Sequence, residues 1–462
     1  MKIRFMLWGL AALGLLGSAT VCPAQMGNLR AGAAKVDISP AKDMFPVQSY
    51  ASLHDPLFAR ALVIDNGSTK AALISVDATG VPGGDQLLKA ITEELKIPAE
   101  RLIINATHDH SAPMAGGPRP PAAGAAPGGA DARAAGGAAG YSALVLNGIV
   151  EAARQANANL QPARVGFGTG KAYENTNRDE FMGQGYHMGY SPDGPSDKTV
   201  AVIAFTRPSG EPIAIYSNYA VHAVVMYRTQ TQDGKSQVTG DIAGWTARYV
   251  EEHFPGAVNL WTPGAAGDQN PLFQGLYNQD AEDVHDEGEL AWGILDVQSR
   301  RLGQEIVRVT KEIQSTSARA VIWSVRSSVT CPGQKRAEQP KPGAPTQGWQ
   351  APPASTVKMI DGDPVTIPLQ LMMINDIAIA GVGGEVFTEI GMHVKKDSLF
   401  DRTLMVTLLP GGAGYIPTDK AFLLPSEKAV GNRLKPGCAE PAMVGEFQTM
   451  MKSYLPIWKA AN

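Results

Sequence analysis

Two histidines one residue apart close an apolar run in Leu102-Ile103-Ile104-Asn105-Ala106-Thr107-His108-Asp109-His110-Ser111-Ala112-Pro113. Residues 102–106 predict a short buried strand, which the polar cluster and Pro113 bring to an end. Side chains at strand ends are aimed into a crevice by a rigid element. If the backbone stays extended through Asp109, His108 and His110 face the same side. A metal then takes one imidazole and leaves the other within reach of its water; the plain alternative is two surface histidines in a turn. His222 repeats the pattern at the end of the apolar run 213–219, and Glu385 follows Gly383-Gly384 at the end of 377–382. His108, His222 and Glu385 make a two-histidine, one-carboxylate set with an open position, the ligand type of catalytic zinc. Zinc held this way activates water and polarises a carbonyl, which suits amide or ester hydrolysis.

The elements that position these groups alternate between strand and helix. Strands are predicted at 32–40, in the second half of 54–65, at 71–76, 102–106, 165–168, 198–205, 213–219, 259–262, 369–373, 377–382 and 405–408. Asn66-Gly67 is a hairpin signal. Helices are predicted at 84–96, 141–156, 240–254, 288–313, 386–398 and 440–454, from apolar residues at helical spacing. Arg178 falls in a polar loop, and 181–196 reads as irregular. Residues 263–271 form a small-residue loop that lets backbone approach a ligand closely. The pattern predicts an α/β fold, with α+β as the alternative: mixed β-sheets flanked by helices in a single large catalytic domain.

Composition narrows the class. Hydrophobic residues make up 44%, enough for a large core, and the net charge of −4 gives no basic field for nucleic acid. Residues 1–24 read as a secretory signal, with Lys2 and Arg4 before the apolar stretch Met6–Leu16. Cys22 suggests a lipoprotein, but Val21 is too bulky for the usual motif, so lipidation ranks second. No later stretch suits a stable membrane span. The mature chain is expected to be secreted or periplasmic. There an oxidising compartment permits a Cys331–Cys438 disulfide, with two free thiols as the alternative. Residues 115–140, nearly all Ala, Gly and Pro, read as a mobile loop beside the histidine pair. Residues 332–355 read as a Pro-rich surface excursion. Oligomeric state is not legible.

The motifs, in order, resemble those of the neutral/alkaline (non-lysosomal) ceramidases, which are N-acylsphingosine amidohydrolases with a zinc site. Asn105–Pro113 resembles the family's Ala-Thr-His-Thr-His-Ser-Gly-Pro. Thr176-Asn177-Arg178 resembles Ile-Asn-Arg, and Asn218–His222 resembles Asn-Trp-Phe-Ala-Val-His. Gly267-Asp268-Gln269-Asn270-Pro271 resembles Gly-Asp-Val-Ser-Pro. Gly384-Glu385 matches Pro-Gly-Glu, and Ala413–Thr418 resembles Ala-Gly-Tyr-Val-Thr-Thr. The resemblance implies Zn2+ bound by His108, His222, Glu385 and Tyr415, with His110 as acid/base. It implies that Arg178 holds the substrate or the developing oxyanion, and that Asp268 and Asn270 contact substrate.

Departures matter too. Asn270 stands where the family has serine, which rules out a serine nucleophile there. The Tyr-Glu-Gly that follows the family's zinc tyrosine is missing, and Asp109 sits between the histidines. The family's C-terminal immunoglobulin-like domain is expected to be absent, leaving a ceramidase-like domain over 25–462. The expected activity is hydrolysis of the N-acyl bond of ceramide or a related lipid by zinc-activated water. Two others stay open: a non-hydrolytic periplasmic binding protein that keeps the metal pocket, and a zinc esterase or lactonase.

Overall fold

The computed structural model describes residues 25–115, 132–181, 186–277, 284–314, 316–337, 358–423, 428–429 and 431–461. The signal expected at 1–24 lies outside them. The first sheet contains β1 (Arg30–Asp37), β2 (Phe58–Asp65), β3 (Lys70–Val76) and β4 (Leu102–Ala106), in the order β4-β3-β2-β1, with residues 161–162 at the far edge. Its strands read as near-continuous apolar runs because both faces are covered. Ala61 and Val63 of β2 pack towards α1 (Gly84–Leu95) and α2 (Ala132–Ala158), while Leu62 and Ile64 face the neighbouring sheets.

The second sheet is built from β5 (Arg164–Lys171), then, past the small-sheet strands β6 (Asn175–Phe181) and β7 (Tyr186–Ser191), from β8 (Thr199–Thr206) and β9 (Pro212–Tyr219). Helix α3 (Asp241–His253) and β10 (Val258–Pro263) follow, then β11 (Gln269–Pro271), which joins β6 and β7, and helix α4 (Ala291–Glu312). Helices α3 and α4 cover this sheet's outer face. The third sheet runs β12 (Ile322–Arg336), β13 (Met359–Ile374), β14 (Ile377–Val382), then, beyond β15 (Glu385–Val386) and α5 (Thr388–Lys396), β16 (Arg402–Val406). The chain closes with β17 (Tyr415–Ile416) and α6 (Ala439–Ala461), which packs with α5 on this sheet. One apolar core, including Leu62, Ile103, Ile203, Tyr216, Ile379 and Val406, joins all three sheets. This is the α/β architecture that the alternation predicted.

Each sheet carries one parallel pair bridged by a helix: β3–β4 across α1, β9–β10 across α3, and β14–β16 across α5. Cross-links hold these pairs together. Asn218 Nδ2 donates to Met405 O at 2.9 Å, and Ala106 N donates to Leu408 O at 3.4 Å. The carboxyl ends of the parallel strands therefore meet, which is where open α/β sheets bind ligands.

Four local expectations are corrected. Helix α2 begins at Ala132, inside the stretch read as a loop over 115–140. Alanine is the best helix former, so the amphipathic helix extends back into an Ala-rich leader; residues 116–131 lie outside the described set. The Pro-rich excursion begins later than 332, because 332–336 continue β12 and 333–336 pair with 359–362; residues 338–357 are outside the described set. Arg178 is in strand β6, not a loop, and 186–191 form β7 rather than irregular chain. These two strands are polar, so their composition hid ladders that only the pairing of 175–181 with 186–191 and 269–271 creates. Cys331 and Cys438 are joined in a disulfide. Among the described residues, no helix is long and apolar enough to cross a membrane.

Candidate metal centre

His108 follows β4 and adopts a left-handed backbone, φ 63°. The extended path assumed from sequence is therefore wrong. A non-glycine residue in this region is held there at a cost of about 1–3 kcal/mol by its surroundings. Backbone bonds on both sides hold it: Thr107 N donates to Val76 O at 2.9 Å, Asp109 N to Ala78 O at 3.1 Å, and His110 N to Ala223 O at 3.0 Å. The last bond, with the parallel bridge between Asp109 and Ala223, lays the histidine pair beside the segment that carries His222. Asp109 is fully buried, and its Oδ1 accepts the Ser111 amide at 2.8 Å.

The imidazoles converge despite the kink. His108 and His110 Nε2 atoms are 3.2 Å apart, and ligand atoms of His108, His110 and His222 all lie within 4.8 Å of one another. Glu385 Oε2 is 3.1 Å from His108 Nε2 and 3.3 Å from His222 Nε2. The second contact is not a hydrogen bond: His222 Nε2 is buried without a partner. The reason lies on the far side of each ring. His108 Nδ1 is 2.8 Å from Thr79 O and His222 Nδ1 is 3.1 Å from Gln269 O, and a carbonyl can only accept. Each Nδ1 therefore carries a proton, so in the neutral rings two Nε2 lone pairs and a carboxylate oxygen face one another. Backbone carbonyls orient metal-binding histidines in this way. The donor set thus fits a divalent cation of the zinc type, which would satisfy the orphaned His222 nitrogen.

Charge states agree with that fit. Burial, then Arg178 and His108, push the His222 pKa down to about 3. Burial alone would raise the Glu385 carboxyl, but positive charge at His108 and His222 outweighs it and holds it well below the usual carboxylate range, a charge that a bound cation would supply in place of protonated rings. His110 is pushed well below its ordinary value by burial and then by His108 and His222. Tyr415 is raised by burial, with the Glu385 carboxylate adding to it. Tyr415 reaches the site because β17 pairs in parallel with β15, placing it opposite Glu385.

The other residues named from sequence surround this centre. Arg178, 4% exposed, donates to Gly267 O at 2.5 Å and to Asn270 Oδ1 at 3.3 Å, and its guanidinium lies 5.4 Å from the Tyr415 ring centre. His110, Arg178, His222, Asn270 and Tyr415 line one cavity. Asp268 does not line it. Its carboxylate instead accepts from Asn177 Nδ2 at 2.9 Å and from Thr388 N at 2.8 Å, tying β6 to the start of α5. Burial, then Asp179, raise its pKa to about 7. Sequence reasoning missed Tyr227, Gln274, Met188, Val224 and Lys428, which complete the cavity wall. It also missed the carbonyl acceptors of Thr79 and Gln269. Only Gln269 lay within a recognised motif; backbone acceptors leave no side-chain signature.

Comparison with known proteins bears on this geometry. Residues 45–267 match the family model "Neutral/alkaline non-lysosomal ceramidase, N-terminal". The match spans just under half of the chain, and this part is similar to the neutral/alkaline ceramidases. His108, His110, Arg178 and His222 fall within the ceramidase match, whereas Glu385 and Tyr415 lie beyond it. Two solved structures share the fold. "Ceramidase complexed with C2" aligns at a TM-score of 0.66 and 15% identity, covering 93% of this chain and 75% of that one. The neutral ceramidase from Pseudomonas aeruginosa aligns at 0.64 and 16% identity, covering 93% and 74%. No curated protein sequence matches.

Proposed function

We propose that the chain is a zinc-dependent amidohydrolase that cleaves the N-acyl bond of ceramide or a related lipid. One observation carries the reading: His108 Nε2 and His222 Nε2 lie 3.1 and 3.3 Å from Glu385 Oε2, while each ring gives its Nδ1 proton to a backbone carbonyl on the far side. His108, His222, Glu385 and Tyr415 would hold the metal. Zinc, when bound, supplies Lewis acidity to the scissile carbonyl and to water.

The protein's own groups do the rest. His110 is neutral, lines the cavity, and packs edge-on against Tyr227 at 5.3 Å. It takes a proton from the attacking water and returns it to the leaving amine nitrogen. Arg178, fixed by Gly267 and Asn270, places a permanent positive charge beside the developing oxyanion. A neighbouring groove of about 510 Å³ has Pro271, Leu272, Phe273, Leu276 and Ile294 among its lining, together with the carboxylates Glu180 and Glu287. It shares Met188 and Gln274 with the metal cavity, so an alkyl chain can run from one into the other. This supports a lipid amide over a small polar one. The similarity of residues 45–267 to the ceramidase family model supports the amide bond itself.

Residues 25–462 act as one catalytic unit, exported through the 1–24 signal. The Cys331–Cys438 disulfide supports an oxidising destination, secreted or periplasmic. The test is elemental analysis of purified protein, followed by a panel of N-acyl lipids and matching esters. About one zinc per chain and fatty-acid release from the amides are expected. A protein without transition metal, or one that cleaves esters only, overturns the proposal.

A further inference from the structure

Asn270 lies in β11, opposite Thr176 of β6, and is 1% exposed. It lines the same cavity as His110, His222 and Tyr415. Its Oδ1 accepts a hydrogen bond from Arg178 Nη1 at 3.3 Å. That contact decides which way round the amide sits. A guanidinium has donors only, so it must meet the amide oxygen, and the NH₂ group points to the opposite side. Among the described residues, no group accepts from Nδ2. Nor is Nδ2 among the fully enclosed side-chain atoms that lack a partner, so its open side is the cavity. A nearly buried, oriented donor therefore faces the space where the acyl group must sit.

We propose that Asn270 is a catalytic residue whose Nδ2–H donates to the carbonyl oxygen of the scissile N-acyl group. The proposal rests on the amidohydrolase reading and names a group for its chemistry. As the water oxygen bonds to the carbonyl carbon, the carbonyl π pair moves onto oxygen, and the water proton passes to His110. Nδ2 shares with Arg178 the negative charge that this oxygen acquires. When the C–N bond breaks, the pair returns to the carbonyl, the nitrogen takes the C–N electrons, and His110 supplies its proton. Arg178 thus acts twice: as a charge near the oxyanion, and as the clamp that keeps Asn270 facing it with a donor rather than an acceptor. Such preorganised donors cost no reorganisation during the reaction.

The experiment compares full-length zinc-loaded wild type with Asn270→Asp, Asn270→Ala and Asn270→Ser, using N-octanoylsphingosine for turnover and octanohydroxamate for binding. Asn270→Asp keeps an oxygen for Arg178 and removes the donor. It is expected to retain zinc content and melting temperature, to lose about 10²–10³-fold in kcat with little change in KM, and to bind the hydroxamate at least about tenfold more weakly. Asn270→Ser, which restores a donor, should recover part of the loss. Wild-type kcat and hydroxamate affinity in Asn270→Asp overturn the proposal, as does loss of zinc or of the folded state in both Asn270→Asp and Asn270→Ala, which would make the residue structural. A zinc-loaded wild type that neither turns over the amide nor binds the hydroxamate overturns the hydrolase reading itself, an outcome seen before any variant is made.

Discussion

Gly267→Ala tests how tightly the centre is built. Gly267 sits in the loop after β10, and its N–H donates to Val386 O at 2.7 Å. A methyl at this position would lie 2.6 Å from Glu385 O, 2.8 Å from Val386 C and 2.9 Å from Val386 O. All three are backbone atoms, so no rotamer change relieves the contact. Restoring a C···O separation of about 3.2 Å needs roughly 0.6 Å of movement between the loop and β15, and overpacking of this kind costs about 1–3 kcal/mol. Glu385 is the first residue of β15, and zinc ligand distances tolerate only about 0.2 Å. The loop also carries the carbonyl that holds Arg178. Zinc affinity should therefore fall about 10–100-fold, as it does when groups that orient ligands are lost, and turnover should fall with it. The assay is competition for zinc against a calibrated chelator, with thermal melting alongside. Gly293→Ala is the control: it is exposed in α4 with nothing within 4 Å of the added carbon, and should stabilise slightly. Unchanged zinc affinity and melting in Gly267→Ala would refute the close-approach argument.

His222→Ala should lose zinc, read by elemental analysis, because it removes one of the lone pairs that define the centre. His110→Ala should keep zinc yet lose about 10²–10⁴-fold in turnover; activity within a few-fold of wild type would remove it from the mechanism. Arg60→Ala should destabilise by about 3–5 kcal/mol in urea unfolding, since it strands the buried Asp77 that Arg60 meets at 2.8 Å. Reduction-proof Cys331→Ala/Cys438→Ala protein should lose about 2–5 kcal/mol, because the bond closes a loop with a sequence separation of 107. Its zinc content should not change.

The motifs carried much of the site because strand-end chemistry is local. An apolar run that stops at a histidine, as at 102–108 and 213–222, signals both a buried strand and a residue at its mouth. The helices were legible for a related reason: apolar spacing at Leu87, Leu88, Ile91 and Leu95 reports the face that packs on β1–β4. Strands β6 and β7 were not legible. Their polar residues gain stability from partners far along the chain, and no short window contains that information.

By itself, the sequence determined the order of the apolar strands and the helices, their apolar faces, and the residue types delivered to the apolar strand ends, since those follow from side-chain chemistry and its period along the chain. Only the tertiary structure decided that His108, His222 and Glu385 share one point. That convergence needs three parallel strand pairs whose carboxyl ends are brought together by a common core, between residues more than 100 positions apart. It also decided the left-handed turn at His108, which the surrounding backbone bonds impose against the residue's own preference. The protons on His108 and His222 were likewise set by folding, because the carbonyls of Thr79 and Gln269 occupy Nδ1 and leave Nε2 to the metal.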